Sequence, residues 1–345
     1  MGYEPSIKEI EPEILKEHHR LTARQINSLL GEGCVKEMIE EKLGALGMVS
    51  EFLAVTDALR SAGIRFIPLK GPLLAHKLYG DATARQYGDI DILVDSASLN
   101  SASRVLIKKG YQPPSTNWLS NEKQEGILQK HTVELAFVNP STQTVFELHW
   151  RLLRVPVVND GRLREIINAN LQEYSFSDRE FTILSNELEL LFLVIHGGWH
   201  WWHRLKWLVD INDYIGKHQI DWKKFEELSL ELKAESMVAL CNEMLQEHFP
   251  GSRQLPVQTR AKRFMVQFCR RRIASHSEPI HDFYGRAFGS VWYALISFPG
   301  LTYKLKRIRS YLFVASLYGK NKVLSWLPFF YVYGPVKLLA ARAKG

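Results

Sequence analysis

Residues 64–95 read IRFIPLKGPLLAHKLYGDATARQYGDIDILVD, and the spacing of apolar residues in that stretch decides the fold. A short apolar run, residues 64–69, stops at Lys70-Gly71. A helical pattern follows through Leu73, Leu74, Lys77 and Leu78, then a polar loop that carries Arg85. A second apolar run, residues 90–94, is entered through Asp89-Ile90-Asp91. Side chains of a strand alternate between faces, so Asp89 and Asp91 point one way while Ile90 and Ile92 point into the core. Two neighbouring carboxylates repel each other, and a hard divalent ion such as Mg²⁺ is the usual charge between them. The unit is strand, turn, helix, strand, with an acidic pair at the start of the second strand.

Upstream, residues 5–18 and 22–30 carry short amphipathic patterns. Residues 34–61 carry a longer one, through Leu43, Leu46, Val49, Phe52 and Leu59, and Gly63 stands where a helix stop is expected. Downstream, residues 97–109 predict a helix closed by Gly110. Two strand-like runs follow, 127–138 and 143–153, joined at Asn139-Pro140-Ser141 as a hairpin. After Pro156 the pattern is helical throughout: 162–171, 187–196, 205–218, 222–232, 235–249 and 258–275. The expected fold class is α+β. It has four parts: N-terminal helices (1–62) packed on a mixed core (63–155), a helical domain (156–282) and a C-terminal helical tail (283–345).

A second chemical feature lies in residues 145–150, VFELHW. Glu147 and His149 alternate with Phe146 and Leu148 and so share a face. Beside the Asp89/Asp91 strand, Glu147 would be a third carboxylate. Three carboxylates on neighbouring strands suit two Mg²⁺ ions holding a triphosphate for in-line displacement. Glu134 on the preceding strand competes for that place, and Glu147 is preferred because its neighbours alternate more cleanly. His149 reads as a supporting group or as a half-buried histidine beside Trp150, with the structural role favoured.

With 345 residues, 46% hydrophobic and 23% charged, the composition is that of a folded globular chain rather than a disordered one. The opening residues are acidic and polar, unlike a secretory leader, so a cytoplasmic location is expected; MGYEPS fits only the loose N-myristoylation pattern. Cys34, Cys241 and Cys269 are too far apart for a metal motif and read as reduced, mostly buried thiols. The net charge of +7 belongs to the tail. Residues 283–345 hold ten of the 44 Lys and Arg, none of the 37 Asp and Glu, and 15 of the 39 aromatic residues, leaving the rest of the chain at −3.

The combination LKG, helix, Arg85, a DID strand and a later ELHW strand resembles the uncharacterised nucleotidyltransferase family of the polymerase-β-like nucleotidyltransferase superfamily. IHGGWHW…LKWLVDI, residues 195–211, is similar to the helical second half of that family, and the resemblance covers about residues 35–235. It implies a mixed sheet flanked by helices and transfer of a nucleoside monophosphate from an NTP, ATP among them, with release of pyrophosphate. By that resemblance Asp89, Asp91 and Glu147 are the metal-binding and catalytic acids for two Mg²⁺, with Mn²⁺ as the substitute. Lys70 and Gly71 are the phosphate-binding turn, and Arg85 is a further cation or a structural bridge to Asp89 or Asp91. The superfamily usually has Gly-Ser or Gly-Gly at that turn where this chain has Lys-Gly-Pro; lysine can serve there as a point charge. The pattern permits a sugar, lipid head group, protein or RNA as hydroxyl acceptor.

His196, His200 and His203 with Asp210 suggest zinc, but Gly197-Gly198 replace the glutamate that a helical zinc-protease motif needs, so a buried helix junction or pocket wall is preferred. In the tail, runs 291–301, 311–318 and 324–341 are apolar and aromatic. They are separated by the basic clusters Lys304, Lys306, Arg307, Arg309 and Lys320, Lys322. Such interleaving suits peripheral contact with an anionic membrane, stacking on nucleic acid, or packing on the body. Pro328, Gly334, Pro335 and Lys337 interrupt the last run too often for a membrane span. Two other functional classes are a DxD glycosyltransferase using a nucleotide sugar and a non-catalytic nucleotide-binding adaptor. The first would need a nucleotide-binding strand-helix repeat before the acids, where helices are predicted; the second would not need the acids.

Overall fold

The strand-turn-helix-strand unit forms where the alternation places it. In the computed structural model, which describes residues 10–31, 35–113, 126, 129, 132–153, 157–275 and 283–312, three helices come first. These are α1 (Pro12–Glu17), α2 (Ala23–Leu30) and α3 (Val35–Ser61). Helix α2 starts at a reciprocal capping box, Thr22 accepting from the Gln25 backbone N–H while the Gln25 side chain accepts from that of Thr22. Strand β1 (Phe66–Pro68), helix α4 (Pro72–Tyr79), strand β2 (Asp89–Val94) and helix α5 (Leu99–Lys108) follow. Strands β3 (Glu134–Val138) and β4 (Val145–His149) pair antiparallel, with Glu134 opposite His149 and Val138 opposite Val145, around the Asn139-Pro140-Ser141 turn. The small mixed sheet, flanked by helices, has the order β1-β2-β4-β3. The ELHW strand therefore lies directly beside the DID strand.

The helical reading after Pro156 is corrected at one place. Helix α6 (Asp160–Ala169) is followed by a two-stranded hairpin, β5 (Leu171–Phe176) and β6 (Arg179–Leu184), paired from Leu171–Leu184 to Phe176–Arg179. Its two turn residues, Ser177 and Asp178, have φ of 50° and 58°. That is the doubly positive backbone of a tight hairpin, formed here without the Asn-Gly or Asp-Gly pair that announces it in a sequence. Helices α7 (Asn186–Trp199), α8 (Lys206–Lys217), α9 (Trp222–Glu231), α10 (Glu235–His248), α11 (Arg263–Ala274), α12 (Phe283–Ser297) and α13 (Leu301–Leu312) complete the described chain.

The described residues form two compact units. The first comprises those within 1–54, 67–90 and 157–299; the second comprises those within 55–66, 91–156 and 300–345. In the first, α7 is the central element: Leu188, Leu190, Leu191, Val194 and Ile195 are fully or almost fully buried. A methyl group built on Gly197 would lie 2.1 Å from the Trp202 ring, and one on Gly198 would lie 2.7 Å from Met237 Sδ. The glycine pair is thus the space into which Trp202 and Met237 pack, which makes HGGWHWW a buried helix junction. In the second unit, Leu99, Ala102 and Leu106 of α5 and Phe146 and Leu148 of β4 are among the side chains fully buried.

Cys241 and Cys269 are free and buried, and burial pushes both thiols up. No helix of the described residues is long and apolar enough to cross a membrane. Cys34, the start of the chain with its myristoylation-like residues, residues 127, 128, 130 and 131 of the 127–138 run, the apolar runs beyond Leu312 and the Lys320/Lys322 pair lie outside the described residues; within that run Gln129 is helical and the strand starts at Glu134.

Candidate functional site

Alternation along two adjacent strands builds the acidic centre. On β2, Ile90 and Ile92 are fully buried in the core, and Asp91 between them is also fully buried. On β4, Phe146 and Leu148 are fully buried, which turns Glu147 and His149 to the other face. His149 Nε2 donates to Asp91 Oδ1 at 2.9 Å and lies 3.5 Å from Glu147 Oε2, while its Nδ1 lies 3.4 Å from Glu134 Oε2. Burial pulls the His149 pKa down, but hydrogen bonds to Asp91 and Glu147 and the charges of Asp91 and Glu134 outweigh it and raise the pKa to about 9. His149 is thus held among three carboxylates, and a metal bound through its ring nitrogen would take the place of the proton there.

One ligand atom each from Asp91, Glu147 and His149 lies within 4.8 Å of the others, the group of this kind among the described residues. Two carboxylate oxygens and an imidazole nitrogen fit a divalent ion of the Mg²⁺/Mn²⁺ class, the imidazole favouring Mn²⁺. Glu134, one strand further out, meets the far nitrogen of His149 and stands outside that group. Asp89 also stands outside it, half-buried at the first position of β2 on the face that Asp91 shares. The sequence reading set His149 beside the acids as a supporting or structural group, and the structure places its Nε2 2.9 Å from Asp91 Oδ1. The signal was its place two residues after Glu147 on one face, and Trp150 drew it toward a structural reading.

The Lys70-Gly71 turn is set by backbone geometry. Gly71 has φ 71° and ψ −139°, a conformation open to glycine, and it caps α4 with Pro72 at the first helical position. A Cβ at Gly71 would lie 3.7 Å from the Asp89 carbonyl oxygen and the Ile90 Cα, so this turn runs alongside the entry to β2. Lys70 is buried, and its Nζ donates to His196 Nε2 at 3.4 Å.

Arg85 has a partner other than the ones expected. Its Nε and Nη2 donate to Asp210 Oδ1 and Oδ2, both at 2.8 Å, and the two side chains are 3% and 1% exposed. The bridge runs to Asp210 rather than to Asp89 or Asp91, and it occupies the fork that phosphate would need. Burial works against the Arg85 charge, yet Asp210 holds its pKa above the ordinary value. Next to it, Tyr79 donates to Asp213 at 2.7 Å, and Lys77 is paired with Glu189 and Tyr214 in a buried network. Helix α4 is thereby tied to α7 and α8.

His196 and His200 have ring centroids 4.6 Å apart, and Trp207 stacks on His200 at 5.1 Å. These rings make a packed aromatic wall. No grouping of their nitrogens with other donors closes to metal distance among the described residues.

Lys206, at the start of α8, was not singled out in the sequence. Burial and the charge of Arg85 depress its pKa to about 7, against the opposite pull of Asp89 and Asp210. Its folded pKa lies below that of the unfolded chain, so between about pH 7 and 10.5 the unfolded chain binds the extra proton and stability rises with pH. Below pH 7 the full cost of the half-buried ammonium is present. Lys206→Met is accordingly expected to stabilise the protein by about 2 kcal/mol at pH 7, with the gain shrinking toward pH 10. Thermal melts of both proteins across that range measure it. A destabilised variant at pH 7 would refute the assignment.

Comparison with known proteins gives two findings. A crystal structure of a lincosamide antibiotic adenylyltransferase, LnuA, with lincomycin bound, is similar at 18% identity and a TM-score of 0.31, over 48% of this chain and 94% of that one. No curated protein matches the chain. The family model for uncharacterised nucleotidyltransferases matches residues 35–250, a span that holds the LKG turn, the DID and ELHW strands and the HGGWHW helix junction. The chain belongs to the uncharacterised nucleotidyltransferase family and is a nucleotidyltransferase.

Proposed function

We propose that the chain transfers a nucleoside monophosphate from a nucleoside triphosphate to a hydroxyl acceptor, releasing pyrophosphate, in a reaction that needs Mg²⁺ or Mn²⁺. The observation that carries this reading is the placement of β4 beside β2, which brings Glu147 to Asp91 with His149 between them. Asp91, Glu147 and His149 would hold a divalent ion, and Asp89, on the same face of β2, would add the second carboxylate of the DID pair. When bound, such ions stabilise charge on the transferring phosphoryl group and lower the pKa of an attacking hydroxyl.

The chain's own residues supply position and charge. The Lys70-Gly71 turn, running along the Asp89-Ile90 backbone, would receive phosphate oxygens, with the lysine as a point charge. Glu134 holds the His149 ring through its far nitrogen, which fixes the direction of the near one. Arg85, bound to Asp210, ties the loop before β2 to α8 and is not itself a phosphate ligand in this scheme. The acceptor would be a small molecule or macromolecule bearing a free hydroxyl.

The test is incubation with each α-labelled nucleoside triphosphate, Mg²⁺ or Mn²⁺ and cell extract. Label is expected in an acceptor with at least one nucleotide, and none after chelation by EDTA. Label delivered instead from the sugar of a nucleotide sugar would replace this reading with the glycosyltransferase one. Binding of nucleotide with no transfer from any of the four would replace it with the adaptor.

A further inference from the structure

Helix α13, LTYKLKRIRSYL, has two unlike faces. At about 100° per residue, Leu301, Leu305 and Ile308 fall within an arc of about 60°. Their exposures are 72%, 57% and 43%, so the stripe stands in solvent. Tyr303 falls on the opposite face and is buried. The helix is therefore held by its tyrosine side and turns its aliphatic side outward. A stripe with this spacing is ordinarily the side that a helix buries, and an exposed one marks a contact surface.

Charge is arranged around the same stripe. Lys304 borders it, and Lys306 and Arg307 stand on the two flanks between it and Tyr303. Lys304 and Lys306 are exposed. No acidic residue occurs on the helix, nor anywhere in residues 283–345, so its basic residues meet no carboxylate from their own segment. What covers such a surface must be apolar at its centre and anionic at its rim.

The charges and residue types choose among the partners that could lie there. A second copy of the helix, packed stripe to stripe about a two-fold axis, would bring one basic rim against another. A single-stranded nucleic acid is anionic, but it binds by stacking bases on rings. The stripe offers two leucines and an isoleucine, and Tyr303 is buried on the far side. An anionic bilayer meets both requirements: acyl chains receive the aliphatic side chains, and lysine stems lie along the boundary with their ammonium groups among the lipid phosphates.

We propose that α13 rests on an anionic membrane surface, with Leu301, Leu305 and Ile308 in the acyl boundary and Lys304 and Lys306 at the level of the headgroups. The contact is peripheral, since the helix has only 12 residues and no helix of the described residues is long and apolar enough to cross a membrane. Three aliphatic side chains give weak binding by themselves, so the interaction depends on lipid charge and on salt. The inference is independent of nucleotidyl transfer.

The test is flotation of the full-length protein with lipid vesicles. Partition is expected to be about tenfold stronger onto phosphatidylcholine vesicles with about 30% phosphatidylglycerol than onto phosphatidylcholine alone, and to fall away near 0.5 M salt. Leu301→Ser, Leu305→Ser and Ile308→Ser together should weaken partition at least tenfold at an undiminished melting temperature, because the side chains removed are exposed. Lys304→Gln with Lys306→Gln should weaken it roughly tenfold on the anionic vesicles and leave the neutral ones unchanged.

Wild-type protein that floats with neither vesicle overturns the inference. So does flotation that the triple serine variant leaves unchanged, which would place the contact elsewhere in the chain. A dimer in light scattering that the triple variant dissociates, without flotation, gives the stripe to a second copy and overturns it as well. Binding of a single-stranded oligonucleotide that the triple variant loses, again without flotation, gives it to nucleic acid with the same result.

Discussion

Replacing Asp91 with asparagine is expected to reduce nucleotidyl transfer by about a thousandfold or more, since a metal contact in phosphoryl transfer contributes several kcal/mol to the transition state. Asparagine keeps the shape and can still accept from His149 Nε2, now at 2.9 Å from Oδ1, so packing against Ile90 and Ile92 is preserved. What is lost is one negative charge from a fully buried position. Mn²⁺ affinity, read by titration calorimetry, should fall together with activity. Glu134→Gln is the informative comparison. That residue meets the far nitrogen of His149, so its loss should cost ten- to a hundredfold, the usual effect of a partner that orients a ligand. Asp91→Asn that folds normally and transfers within tenfold of wild type would remove Asp91 from the chemistry.

What could be read in the sequence follows from which interactions are local. The DID and ELHW strands were legible because the period-two alternation of Ile90/Ile92 and Phe146/Leu148 is carried by adjacent residues, and it dictates which side chains leave the core. The hairpin around Asn139-Pro140-Ser141 announced itself through its turn residues. The β5–β6 hairpin did not, because Ser177 and Asp178 adopt positive φ without glycine and the flanking residues alternate weakly. Arg85 could not be matched to Asp210, since 125 residues separate them and nothing local links their charges. Lys206 was passed over, because a lysine at a helix start carries no local mark of the burial and of the Arg85 charge that it meets in the fold. The family resemblance added the acids and the lysine-glycine turn as a set, but no pattern in one sequence states which cation the fold itself occupies.

The buried Arg85–Asp210 pair carries the largest expected effect on stability. Asp210→Ala would leave the Arg85 guanidinium, 3% exposed, without its two charge-assisted hydrogen bonds, and should destabilise the protein by about 3–5 kcal/mol. The reason is the uncompensated buried charge more than the value of the pair itself. Removing both charges with residues of similar volume, Arg85→Met with Asp210→Leu, should recover most of that loss, because two apolar side chains need no counter-ion in the same space. Urea unfolding of the two single variants and the double variant gives the coupling directly. The same three proteins separate structure from binding. If Arg85 is a bridge, the double variant folds and binds tripolyphosphate nearly as wild type does, since the Lys70-Gly71 turn is retained. If Arg85 itself holds phosphate, the double variant folds yet loses that affinity. Restored stability with lost affinity would return Arg85 to the phosphate site and make the Asp210 pair a resting-state contact that the nucleotide displaces.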